Sequence, residues 1–309
     1  MLRGGECRLQ GTLVDDQSTQ SVHYIKDLQE SGMRESEQSD TFAALEKREW
    51  AKTNVAKSYA QVFAKAADMV VPTLVKAVEA RSGTEALDLC CGHGNVTEGL
   101  IKAGASVTGL DFSSSMLEMA RSSVPEAKFV EGDAMALDFD DGTFDIVTIG
   151  FGIPHVPDPP RVFTEARRVL RPGGRLAFSV WCGPEVDTAL GYVFGAIGKY
   201  GAPDIVLPPG PGANDYADPE NAFPALLKAG FANFHQSIVA SEWVVSDPGA
   251  PFDFFLEGTA RGGALLRPQP PDNAEAIRKA VVSQVLERHG SGPEWEVPIP
   301  AVVTAAKAV

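Results

Sequence analysis

Between residues 85 and 181 the chain alternates short apolar runs with amphipathic stretches. The runs at 86–90, 106–110, 128–131, 144–149 and 175–181 have the length of strands, and those at 96–103, 114–122 and 160–170 carry helical spacing. Strands alternating with helices imply parallel pairing through right-handed crossovers, hence an α/β sheet with helices on both faces. Upstream, Asp40 is a helix cap, and Val55, Tyr59, Val62, Ala66 and Met69 share one face of a helix. Pro72 fits the first turn of another helix reaching about residue 80. Beyond Trp181 the pattern loosens. A helix at 221–229, a strand at 231–243, helices at 252–266 and 274–289 and a strand at 297–307 are expected there, with Ile277, Val281 and Val285 on one helix face. Residues 1–40, rich in Gln, Ser, Glu and Asp, read as a disordered tail.

One apolar run contains a charge. Leu87-Asp88-Leu89-Cys90-Cys91-Gly92-His93-Gly94-Asn95 reads as a strand, a glycine turn and a helix start, and the next strand delivers Asp111 nineteen residues after Gly92. α/β sheets build nucleoside sites this way. Glycines admit the ligand to the backbone, helix N–H groups face it, and a carboxylate at the next strand end accepts two ribose hydroxyls. The same turn occurs in dinucleotide enzymes, so it does not decide between them.

Composition narrows the choice. A net charge of −14 without a basic run argues against a nucleic-acid partner. No stretch approaches the ~18 apolar residues of a membrane span, and residues 1–20 lack the apolar core of a signal peptide, so a cytoplasmic location is expected. The four cysteines, Cys7, Cys90, Cys91 and Cys182, have no metal-site spacing, and no metal is expected.

Three later segments complete the pattern: Phe129-Val130-Glu131-Gly132-Asp133-Ala134, Phe144-Asp145-Ile146-Val147-Thr148-Ile149, and Arg168-Val169-Leu170-Arg171-Pro172-Gly173-Gly174. With the glycine turn they resemble the class I S-adenosylmethionine-dependent methyltransferases, closest to the ubiquinone/menaquinone C-methyltransferase and small-molecule branch. The resemblance covers about residues 55–181 closely. It implies a Rossmann-like, seven-stranded, mostly parallel sheet with one antiparallel strand and a helical cover over its carboxyl edge. Residues 41–309 would be the methyltransferase domain, with 41–80 a helical lid, 85–181 the cofactor core and 182–309 the sheet completion and substrate cover.

The resemblance also implies roles. S-adenosylmethionine is the cofactor and a small organic molecule the methyl acceptor. Gly92 and Gly94 lie beneath the methionine part, and Asp88 organises the loop or approaches the ammonium. Asp111 takes the ribose, Phe112 and Met116 flank adenine or belong to the core, and Asp133 accepts the adenine amino group beside the Ala134 backbone. The common family pattern has glycine where Cys90 stands. Tyr59 covers the cofactor pocket or packs as an ordinary helix residue. His155, in the loop after the fourth strand, either accepts the acceptor's proton or braces the loop, and bracing is the expectation. Trp50, Phe151, Trp181, Tyr192, Phe194, Phe254 and Phe255 supply either an aromatic acceptor pocket or core. Two alternatives remain, an inactive methyltransferase-like binding protein and an NAD-dependent oxidoreductase. The latter fingerprint wants Gly or Ala where Thr97 stands.

Overall fold

In the computed structural model the described residues are 35–60 and 64–309. Val62 and residues 1–34 of the expected disordered tail lie outside them. Among these residues four helices come first: α1 (Glu35–Trp50), α2 (Thr53–Ser58), α3 (Ala64–Asp68) and α4 (Val71–Ala77). Asp40 is therefore inside α1 rather than its cap, a correction to the expected start. The alternating core follows as β1 (Glu85–Leu89), α5 (Asn95–Lys102), β2 (Ser106–Asp111), α6 (Ser114–Ser123), β3 (Lys128–Glu131), β4 (Phe144–Gly150), α7 (Pro159–Val169) and β5 (Leu170–Trp181). The chain continues through α8 (Ala189–Tyr200), α9 (Pro219–Lys228), β6 (Phe231–Val239), β7 (Glu242–Val245), α10 (Ala250–Gly258), α11 (Ala260–Leu266), α12 (Pro271–His289), β8 (Trp295–Pro298) and β9 (Ala301–Ala308).

Among the described residues seven strands form one sheet in the order β3-β2-β1-β4-β5-β9-β6, and β9 runs opposite to the other six. The expected seven-stranded α/β architecture is borne out. Central strands buried on both faces need apolar side chains in both directions. Leu87 and Leu89 pack with Val162, Phe163 and Ala166 of α7, whereas Ala86 packs with Leu74 of α4 and Leu100 of α5. Asp88 shares the Ala86 side of the strand, which brings it to Thr97 of α5.

Downstream, the structure divides what the pattern left whole. The strand expected at 231–243 is two strands, β6 in the large sheet and β7 in a two-stranded sheet with β8. The one expected at 297–307 divides likewise into β8 and β9. Both breaks occur where Ser241 and Ile299 exchange one backbone and one side-chain hydrogen bond: the Ile299 N–H donates to Ser241 O at 2.9 Å, and Ser241 Oγ donates to Ile299 O at 2.7 Å. Pro298 and Pro300 flank that point and have no N–H to continue a ladder. The helix expected at 252–266 is interrupted at Thr259, whose extended backbone and side chain cap α11 through the Gly262 N–H. Helix α8 escaped the pattern because Gly191, Gly195 and Gly198 interrupt its apolar periodicity. With α10 and α12 it covers the small sheet in a second core containing Tyr192, Trp243, Phe254 and Trp295.

Candidate functional site

The site lies beyond the carboxyl ends of β1, β2 and β4, where ligands enter open α/β sheets. The turn after β1 reverses the chain with three left-handed residues: Cys90 (φ +53°), Gly92 (φ +54°) and Gly94 (φ +94°). A Cβ on Gly92 would meet open space, so conformation rather than crowding selects glycine there. Cys90 holds a left-handed conformation with a side chain, and its thiol faces Gly152 in the loop after β4. A Cβ at 152 would stand 2.4 Å from that of Cys90. Burial, together with Asp111, Asp88 and Asp133, pushes the Cys90 thiol well up, which keeps it protonated.

Asp111, at the end of β2, is buried. Its Oδ2 accepts the Gly92 N–H at 2.9 Å and its Oδ1 the Ser113 N–H at 2.8 Å. Burial raises its pKa against those hydrogen bonds. Asp133 accepts the Met135 N–H at 2.9 Å through Oδ1, closing a tight turn after β3. Cys90, Asp111, Phe112, Asp133, Ala134 and His155 line a cavity of about 480 Å³, with Ala43, Glu46, Lys47 and Ala51 of the first-helix region across it.

Helix α1 is pinned over the cavity by ionic contacts. The buried Glu46 lies 2.9 Å from His155 Nδ1 through Oε2, accepts the Trp50 indole N–H at 3.1 Å on the same oxygen, and accepts Arg261 Nε at 3.0 Å on Oε1. Arg261, on α11, also donates to the carbonyls of Pro154 and Pro211. One turn along α1, Glu49 pairs with Lys52 at 2.7 Å and with Arg267 at 2.5 Å. The end of α1 is held to α6 by Ser113 Oγ, which donates to Trp50 O at 2.9 Å.

The structure thus brings Asp111, Phe112, Asp133, Ala134 and His155 together and leaves the other expected residues outside the wall. Asp88 is fully buried, its oxygens accepting the hydroxyls of Thr97 (2.6 Å) and Thr148 (2.9 Å). It ties β1 to α5 and β4 and approaches no ligand space, and burial lifts its pKa to about 6. Met116 does not flank the cavity. Capping by Ser113 sets the phase of α6 so that Met116 turns into a core with Trp50, Val55 and Ala260. Tyr59 packs edge-on to Trp50 (5.6 Å between ring centres) and His93 (6.2 Å). Gly92 and Gly94 shape the turn without entering the wall. Of the seven aromatics considered for an acceptor pocket, none lines the cavity; Phe151 stacks on Trp181 at 3.9 Å and Phe194 on Phe255 edge-on.

Glu46 and Arg261 had not been anticipated. One signal for Glu46 was present: on α1, Glu46 and Glu49 fall in the same stripe as the buried Phe42, Leu45 and Trp50. Carboxylates in an apolar stripe are buried only when paired.

Sheet order, the single antiparallel strand and the glycine turn opposite Asp111 define a Rossmann-like α/β fold. Residues 87–178 match the family described as the methyltransferase domain. Over 110 residues it is 48% identical to a demethylmenaquinone methyltransferase of Shouchella clausii, and over 107 residues 49% identical to one of Staphylococcus aureus. Each alignment covers 33% of this chain and 47% or 44% of the relative, so the chain spans under half the length of either. Among solved structures, the YcgJ protein of Bacillus subtilis superposes with a TM-score of 0.52 at 17% identity, covering 77% of this chain and 97% of that one. A Haemonchus contortus phosphoethanolamine N-methyltransferase, solved with phosphomonomethylethanolamine and S-adenosylhomocysteine, gives 0.52 at 16% identity, covering 86% and 60%. These two likenesses are of fold. Among the described residues no helix is long and apolar enough to cross a membrane.

Proposed function

We propose that this chain transfers the methyl group of S-adenosylmethionine to a small organic acceptor. The observation that carries this reading is Asp111. Each carboxylate oxygen already accepts one backbone N–H, which holds the group rigidly at the cavity, and each keeps a second lone pair for a ribose hydroxyl. The residues present fit such a ligand. The cavity volume lies within the ~300–1,000 Å³ of small-molecule sites. Asp133 and the Ala134 backbone would meet the adenine edge, Phe112 its face, and the turn at Gly92 would admit the methionine part.

The cofactor supplies a methyl group on a positively charged sulfur, already activated for attack. What remains for the protein is to align the acceptor and exclude water. Helix α1 closes one side of the cavity with Ala43, Glu46 and Lys47. The Cys90 thiol stays protonated and is a wall group rather than a nucleophile. The relatives named as demethylmenaquinone methyltransferases support methyl transfer as the reaction class.

Titration calorimetry tests the reading. S-adenosylmethionine and S-adenosylhomocysteine should bind in the micromolar range, about −8 kcal/mol, and NADH should not. Incubation of a metabolite extract with labelled methyl donor, followed by mass spectrometry, should reveal the acceptor. Tight NADH binding with no response to the methyl donor would overturn the proposal.

A further inference from the structure

Glu46 is 1% exposed and faces two cationic or ionisable partners at once. Burial alone would raise its pKa, but His155 and Arg261 together hold it below the ordinary glutamate value, so it is a carboxylate near neutral pH. A carboxylate has no proton to give. The proton in the 2.9 Å contact with His155 therefore sits on Nδ1. The Trp50 indole N–H, 3.5 Å from Nδ1 and 3.1 Å from Glu46 Oε2, then donates to Glu46 alone. With Nδ1 protonated, the lone pair of the neutral ring is on Nε2, for which no described residue provides a hydrogen bond. The side chain of His155 is 29% exposed and forms part of the cavity wall.

We propose that Glu46 is a positioning residue that fixes His155 as its Nδ1–H tautomer and makes Nε2 the base for an acceptor whose reacting hydroxyl or thiol arrives protonated. The inference rests on the methyl-transfer reading. In the step, the acceptor's O–H or S–H bond breaks and its proton goes to Nε2. The freed electron pair forms the bond to the methyl carbon, and the methyl–sulfur pair returns to sulfur. The imidazolium later releases its proton to water. Three charged groups face the ring: Glu46 from α1, Arg261 from α11 through their shared contact, and Asp111 at the end of β2. Removing the charge of Glu46 should make Nε2 less basic.

The test is long-range ¹H–¹⁵N correlation of the full chain labelled at histidine, with His155 assigned by substitution among the five histidines. The unmodified chain should show the Nδ1–H tautomer above the ring's titration. In Glu46→Gln the titration should move down by about one pH unit, a tenfold change in proton affinity, and Glu46→Asp should restore most of it. With the metabolite extract as acceptor source, the acidic limb of the pH profile for S-adenosylhomocysteine release should move by the same amount. An Nε2–H tautomer in the unmodified chain would overturn the proposal without recourse to any variant. So would an unmoved titration or an unmoved limb in folded Glu46→Gln. Calorimetry on the same samples separates the two readings: loss of S-adenosylmethionine binding by the unmodified chain defeats methyl transfer, whereas intact binding with the wrong tautomer defeats only the role of Glu46.

Discussion

The Gly92 N–H donates to Asp111 Oδ2 at 2.9 Å, so the carboxylate proposed for the ribose also holds the turn after β1 against the end of β2. Asp111→Ala should therefore act twice. It leaves the Gly92 and Ser113 N–H groups without their acceptor, costing about 1–3 kcal/mol for each buried donor, which a thermal melt without ligand should register. It also removes the charged acceptors of the ribose, worth about 1.5–3 kcal/mol, so S-adenosylmethionine affinity should fall at least about tenfold. Unchanged affinity in a folded variant would show that this carboxylate is not the ribose ligand.

Cys90 and Gly152 are complementary in shape. Gly152→Ala should destabilise by about 1–3 kcal/mol, the usual range for overpacking, because the added Cβ meets Cys90 Cβ at 2.4 Å. Cys90→Gly removes that obstacle and suits the left-handed backbone at 90. In that background Gly152→Ala should cost less, with a coupling of at least about 0.5 kcal/mol in denaturant melts. Strict additivity would mean that the two positions do not collide.

Asp88 makes a pH-dependent prediction. Its folded pKa of about 6 lies above the unfolded value near 3.8, so the folded state binds the extra proton. By linkage, stability from this group is fullest below the unfolded pKa, falls as pH rises between the two values, and is level above about 6. Asp88→Asn cannot ionise, and its amide can use the hydroxyls of Thr97 and Thr148. The variant should gain on the parent as pH rises from 4 to 6, by an order of magnitude of ~3 kcal/mol for about two units. Melting both proteins across that window checks the sign; a flat difference would contradict it.

Arg261→Met should be severe. It strips Glu46 of its guanidinium partner and leaves the carbonyls of Pro154 and Pro211 without their donor. Breaking a buried pair from one side costs about 3–5 kcal/mol. Replacing both partners, as Glu46→Leu with Arg261→Met, should recover much of that loss in chemical denaturation, since no unpaired charge is left buried. If the double variant is no more stable than the single one, the pair is not the reason for the loss.

The alternating core was legible because its causes are local. Strands buried on both faces read as apolar runs, and the left-handed turn after β1 shows as glycines at 92 and 94. Asp111 could be found by its spacing because a strand of fixed rise carries it to the same edge as that turn. Met116 could not be placed, since the choice between cavity and core depends on where Trp50 and Ala260 pack against α6. Nor could the division of 231–243, because Val239 pairs in one sheet and Trp243 in another, with partners from the end of the chain.

By itself the sequence determined the strand–helix order, the glycine turn and the carboxylate opposite it, all consequences of short-range conformation and periodic burial. Only the tertiary structure decided what Glu46 does. Its partners stand 109 and 215 residues away, and nothing in its own neighbourhood selects His155 or Arg261. Helix packing at the carboxyl edge brings the three together, and desolvation there requires that the buried charge be paired.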